Sequence, residues 1–356
     1  RAYFAAIEAD VPGVAIDAAL RTAVSMVEAG DDAEVDTWIR HAEAVRGRAT
    51  LDDTDAARAA VYLGIIAIHR AQADASIAHF ERAIALCSAG TCPTTLITAL
   101  TNLASLRTRA GRDDEAVELV RRALDVAERR GSEHDVASVR IDYSRVLLSL
   151  DPSEALAQAE RASAVVEQLD GPRSLRSARA LFAAAQALVR LERPAEAVVV
   201  AERAWSILRD RTSPGDPERE AYRALLASAQ GDAGDLRGSL RGLDAILAEE
   251  SGDLLNRISV MINRGVTRLA LDDAPGAIED ARAAREHLLA WAPERTDLVV
   301  VTYVNESEAL ERRDGCAVAR DLAEELREYA ETRGNDADRA AAHAHDQGLR
   351  GRCGAP

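Results

Sequence analysis

The 356-residue sequence contains no lysine, so all 44 of its basic side chains are arginine. That absence removes the phosphate-loop lysine, the ATP-anchoring lysine of kinases and the Schiff-base lysine, and with them the commonest nucleotide and aldehyde chemistries. Aromatic residues are also scarce: 3 Phe, 6 Tyr and 3 Trp cannot fill the core of a sheet sandwich or barrel. Long apolar runs are missing, and the longest near-apolar stretch, residues 59–68, is far short of a bilayer crossing. A cationic excess is missing too. Sixty acidic residues leave a formal charge of −16, which argues against a surface that wraps nucleic acid. The patterns Gly-x-Ser-x-Gly, His-Glu-x-x-His and Gly-x-Gly-x-x-Gly do not occur, so no catalysis and no cofactor are expected. The sequence opens on Arg1 without a signal-peptide pattern, and a segment of a longer chain is therefore expected.

What is abundant is alanine, 73 residues of it, the composition of helices packed closely through small side chains. These helices repeat. Small or apolar residues at i, i+4 and i+7 form one stripe of a helix, and such stripes recur as Val35/Ile39/Ala42, Ser76/Phe80/Ala83, Ala116/Val120/Ala123, Ala155/Ala159/Ala162, Ala197/Ala201/Ala204, Ser239/Leu243/Ile246, Ala277/Ala281/Ala284 and Ala319/Ala323/Leu326. Their spacing stays near 40 residues. Each stripe follows a second apolar helical stretch and a short breaker, among them Ala29-Gly30-Asp31-Asp32, Gly111-Arg112-Asp113-Asp114, Asp151-Pro152-Ser153, Glu192-Arg193-Pro194 and Asp272-Asp273-Ala274-Pro275. Glycine supplies a left-handed helix exit, Asp or Ser caps the following helix, and proline is tolerated in that helix's first turn. The predicted unit is a helix hairpin, present eight times, in an all-α, right-handed α-solenoid.

The third unit carries a family resemblance: Leu100-Thr101-Asn102-Leu103-Ala104-Ser105-Leu106, then Gly111-Arg112-Asp113-Asp114-Glu115-Ala116, then Val120, Ala123 and Leu124. It resembles the tetratricopeptide repeat, as do Leu63-Gly64, Phe80 and Ala83 in the second unit and Ile262-Asn263-Arg264-Gly265 with Ala277-Ile278 in the seventh. The period is similar to that of the longer-helix variety found in kinesin light chains and bacterial signalling proteins. Three segments are expected: an N-terminal cap over residues 1–13 using Tyr3, Phe4 and Ile7, the array over residues 14–333, and a C-terminal capping helix and tail over residues 334–356. A cap is needed because a terminal repeat otherwise exposes its apolar face.

Four cysteines are candidates for covalent chemistry. Cys87 and Cys92 flank the loop Ser88-Ala89-Gly90-Thr91. A helix starting near Cys316 and turning at Gly334 into an antiparallel closing helix would return Cys353 to Cys316. Both pairs fall within disulfide reach, while four small, incidental cysteines are the alternative. Two disulfides would imply an oxidising compartment, whereas free thiols would suit the cytoplasm. No zinc site is expected, because Cys-x4-Cys has no second ligand pair nearby and the seven His are scattered. His343 and His345 lie on different faces of one helix, and Asp113-Asp114, Asp272-Asp273 and Glu249-Glu250 sit where capping and solvation explain them.

The resemblance implies a concave groove lined by the first, or A, helix of each hairpin, which binds a protein or extended peptide. In the family's register Asn102, Asn263 and Asn305 take the position where Asn hydrogen-bonds a ligand main chain, and Tyr62, Thr101, Arg109, Arg145, Gln186 and Arg190 face the groove. Arginine can grip a carboxylate bidentately, which makes acidic peptides conceivable ligands. The expected function is a binding scaffold. A second reading is a sensory or regulatory segment of a larger bacterial signalling protein, because the end of the array loosely resembles those attached to bacterial serine/threonine protein kinases. A third is an oligomerisation module in which two copies pair. No membrane insertion and no nucleic-acid partner are expected.

Overall fold

The structure, a computed structural model, describes residues 1–28, 31–48, 50–87, 91–213, 216, 218–249 and 254–353. The predicted breaker residues Ala29 and Gly30, the loop residues Ser88, Ala89 and Gly90, and Glu250 lie outside them. The described residues form eighteen α-helices and no strand. After α1 (Ala2–Glu8), the helices alternate as A and B arms: α2 (Pro12–Glu28) and α3 (Val35–Arg46), α4 (Asp53–His69) and α5 (Ala73–Leu86), α6 (Pro93–Arg109) and α7 (Asp113–Arg130), α8 (Glu133–Leu147) and α9 (Pro152–Asp170). Then follow α10 (Leu175–Arg190) and α11 (Pro194–Arg211), α12 (Glu218–Asp232) and α13 (Leu236–Ala248), α14 (Leu254–Ala270) and α15 (Ala274–Trp291), α16 (Thr296–Asp314) and α17 (Cys316–Arg333), and last α18 (Asp336–Cys353). The chain divides into two compact units, Arg1–Leu191 and Glu192–Pro356, so that the fifth of these eight pairs contributes one arm to each. Within each unit an A arm packs on its own B arm and on the A arm of the next hairpin, as expected of a solenoid built from hairpins.

The repeated stripe is the core. Every member of the eight triples is buried except Ile39, which is half-buried. Alanine at these crossings lets helix axes approach closely, and the larger Phe80, Leu243 and Leu326 are buried with them. Six of the turns from A to B arms pass through a left-handed residue: Ala71, Gly111, Glu192, Gly234, Asp272 and Gly315. Glycine is at home there, and nothing lies within 4 Å of where a Cβ would stand at Gly111, Gly234 or Gly315, so the backbone alone selects it.

Capping follows the expectation in part. Asp52, Ser132, Asp151, Ser174, Asp235 and Asp273 accept hydrogen bonds from backbone N–H groups of the helices they precede. The helices α5, α7 and α11 start instead after Gln72, Arg112 and Arg193, none of which caps with its side chain. Acids fall instead one or more residues later, inside the first turn, where Asp74, Asp113, Asp114, Glu115 and Glu196 complement the helix dipole.

The short α1 rests on α2 through Tyr3 and Ala6, and the Tyr3 ring meets Trp38 edge-on at 5.7 Å. Phe4 and Ile7 do not join this contact: they are 58% and 45% exposed, because residues one position along a seven-residue helix point away from the face that Tyr3 and Ala6 share. At the other end α18 seats Ala342 against Val300, Leu326 and Ala330, and Leu349 against Ala319 and Ala323. Cys316 and Cys353 are disulfide-bonded there with Cα atoms 5.7 Å apart, and Cys87 and Cys92 are bonded with theirs 5.5 Å apart.

Candidate functional site

Helix α6 presents a polar stripe at helical spacing, Thr101, Ser105, Thr108 and Arg109, on the side facing α8. There Asp142, Arg145 and Val146 complete a cleft of about 210 Å3. Both helices are A arms, so the cleft lies on the face expected to carry a ligand. The hydroxyls of Thr101 and Thr108 donate to the helix carbonyls of Thr98 and Ala104, which leaves their oxygens able to accept from a ligand N–H. Arg109 is exposed and forms no ion pair among the described residues. Arg145 donates to Asp142 at 2.9 Å. Burial pushes the Asp142 carboxyl above the ordinary carboxylate range, against the opposing pull of Arg145 and Arg179. Two guanidinium groups against one carboxylate make this cleft locally cationic in a chain whose net charge is −16.

A second cleft, about 200 Å3, lies wholly within the other unit between α12, α13 and α14. Ser228, Gly231, Asp232, Asn263, Val266 and Thr267 line it, above Ser239 and Leu243. In repeat register Ser228 and Asp232 are the counterparts of Ser105 and Arg109, so the same position carries opposite charge in the two clefts. Burial raises the Asp232 carboxyl as well.

Of the residues singled out from sequence, Thr101, Arg109 and Arg145 meet in the first cleft and Asn263 lines the second. Gln186 takes on α10 the repeat position that Ser105 takes on α6, and its Oε1 is buried without a hydrogen-bond partner. Arg190 is exposed at the end of the same helix. Asn102 is half-buried and donates its side-chain amide to Thr98 of its own helix at 2.8 Å. Tyr62 packs with Trp38 and Ile39 and donates its hydroxyl to Asp17 at 3.2 Å, a contact between α2 and α4. Asn305 is half-buried on α16 and lines neither cleft. Sequence reasoning missed Ser105, Thr108 and Asp142. The i, i+4, i+7, i+8 recurrence of polar residues after Thr101 and the opposite-charge pair Asp142/Arg145 three residues apart would have found them.

One set of potential metal-ligating atoms occurs among the described residues, Glu311 with Cys316 and Cys353. Its two sulfurs are bonded to each other, so the group offers no thiolate. No described helix is long and apolar enough to cross a membrane.

Residues 95–168, which span both arms of this first cleft, match the tetratricopeptide repeat family. Solved structures extend that architecture over nearly the whole chain. The quorum sensor NprR from B. thuringiensis, in its apo form, superposes with a TM-score of 0.67 at 13% identity, covering 97% of this chain and 94% of that one. A Rap protein complexed with Competence and Sporulation Factor gives 0.63 at 11% identity, covering 96% and 99%. A signal transduction ATPase with a tetratricopeptide repeat sensor, from Pyrococcus horikoshii, gives 0.58 at 13% identity, covering 89% of this chain and 52% of that one. No curated protein matches the sequence.

Proposed function

We propose that this chain is a peptide- or protein-binding scaffold that takes its ligand on the A-helix face, with the α6/α8 cleft as an anchoring point and no catalysis of its own. The observation that carries the reading is the cleft's chemistry: Arg109 and Arg145 beside Ser105, Thr101 and Thr108, cationic within an acidic protein. Guanidinium groups grip carboxylates and hydroxyls pair with main-chain groups, a combination suited to an extended acidic peptide. Two of the similar structures, the Rap protein bound to its factor and the quorum sensor NprR, carry names consistent with ligand recognition on this fold.

The test is a screen of immobilised acidic, basic and apolar peptides, followed by hydrogen exchange with each peptide that binds. Binding that protects α6 and α8, and that weakens with added salt as exposed ion pairs must, supports the reading. Peptides that protect only B helices, or no binding from any class, overturn it.

A further inference from the structure

The α6/α8 cleft holds its own anion. Arg145 points its guanidinium at Asp142, 2.9 Å away and on the same helix, rather than leaving it free beside Arg109. An intramolecular carboxylate therefore occupies one of the two cationic groups that a ligand carboxylate would need. We propose that Asp142 is a built-in competitor for this cleft, and that a peptide carboxylate binds by taking Arg145 from it, so that loss of the Asp142 charge opens the site. The proposal rests on the reading of the cleft as a ligand anchor and adds its occupant's chemistry and its regulation.

The geometry favours competition over cooperation. Both carboxylates would share one guanidinium in a cleft open to solvent, where the side chains of Arg145 and Asp142 are 56% and 32% exposed, and like charges at one partner repel weakly. The surroundings of Asp142 make its charge removable. The charges acting on it are Arg145, on its own helix, and Arg179, on α10, while α6 adds Arg109 to the cleft wall. The other helices packed on α8, α7 and α9, add no charge to the balance at Asp142 among the described residues. Desolvation outweighs both arginines and raises the carboxyl, so the group takes up a proton at a higher pH than an exposed aspartate does. Protonated, it releases Arg145 and stops repelling the incoming anion. Arg109, which has no internal counter-ion among the described residues, attracts the ligand in either state.

The experiment uses the full chain and a fluorescein-labelled Gly-Gly-Asp-Asp peptide with a free C-terminus, its C-terminal amide, and N-acetylglutamate as an unlabelled competitor. We expect wild-type affinity for the free-acid peptide to be higher at pH 5.5 than at pH 7.5, by at most roughly fivefold, the upper size of an exposed ion pair. Asp142→Asn should bind more tightly than wild type at pH 7.5 and lose the pH slope, and Arg145→Ala should weaken binding at both. Loss of binding by the amide assigns the C-terminal carboxylate, retention assigns the side chains, and full competition by N-acetylglutamate assigns a single-residue anchor. If the peptide binds and Asp142→Asn changes neither affinity nor slope, the competitor role is wrong while the scaffold reading stands. If no carboxylate probe binds any variant at either pH, the cleft is not a carboxylate site, and the peptide screen above decides the scaffold reading separately. A second measurement covers a variant that folds poorly: the Asp142 carboxyl, followed by 13C NMR in wild type, must titrate higher when the peptide is bound, and an unmoved titration overturns the proposal.

Discussion

Gly64 on α4 lies under the ring of Phe80 on α5: a Cβ at position 64 would stand 2.8 Å from both Cε1 and Cζ of that ring. The ring is completely buried, and the Ser76 hydroxyl donates to the Gly64 carbonyl at 2.9 Å, so neither helix can draw back. Gly64→Ala should therefore lower stability by about 1–3 kcal/mol through overpacking, even though alanine is the better helix former by about 1 kcal/mol. A urea titration measures the balance. A higher midpoint would show that Phe80 has another place to go.

Glu306 is 1% exposed on α16 and is held by Arg282 and Arg285 of α15, with Arg285 stacked 4.1 Å over the Tyr303 ring. Removing the carboxylate leaves Arg285, 15% exposed, uncompensated, while Arg282, 58% exposed, stays solvated. Glu306→Ala should cost about 3–5 kcal/mol, with hydrogen exchange accelerated first in α15 and α16. A loss under about 1 kcal/mol would mean that water reaches the arginines once the carboxylate is gone.

The two cysteine pairs predict zero free thiols on the unfolded, alkylated protein isolated without reductant. Only Asp338, Ala342 and Leu349 of α18 are buried, so the helix depends on the bond between Cys316 and Cys353 more than on its own apolar face. Cys316→Ser should destabilise its docking by roughly 3–4 kcal/mol, the loop entropy of a 37-residue separation. Exchange in α18 should then match that of an unfolded segment, while α4 to α9 stay protected. Four free thiols would remove the premise.

The raised Asp142 carboxyl also fixes a stability trend. Its folded state binds a proton more readily than the unfolded chain does, so stability falls as pH rises from the unfolded aspartate range through the folded value, and the penalty is complete above it. Asp142→Asn should raise the melting temperature most at neutral pH, with the gain shrinking as the buffer is acidified. A gain independent of pH would place its origin elsewhere.

The fold was legible because close helix crossings require small residues at a fixed spacing, and a stripe such as Ala155, Ala159 and Ala162 has no other reason to recur. The site was legible only where the register is regular. Thr101 and Arg109 fell where the repeat places them, but Tyr62 was claimed by Asp17 of the preceding A helix, a partner that no periodicity reveals. Asn102 turned its amide to its own backbone for the reason that short polar side chains often do. Asp142 was hidden because its place in the cleft depends on which helix faces α8, and that depends on how two repeats stack.

Within each unit no helix touches another more than two places along the chain, and the disulfides close separations of only 5 and 37 residues. Such short-range wiring has a consequence for how the molecule comes into being. Little chain entropy is lost before the first contacts form, so folding should be fast and can nucleate at any hairpin. A growing chain can dock each new hairpin on the one before it while synthesis continues, and α18, made after α17, finds Cys316 waiting within one repeat of its own end.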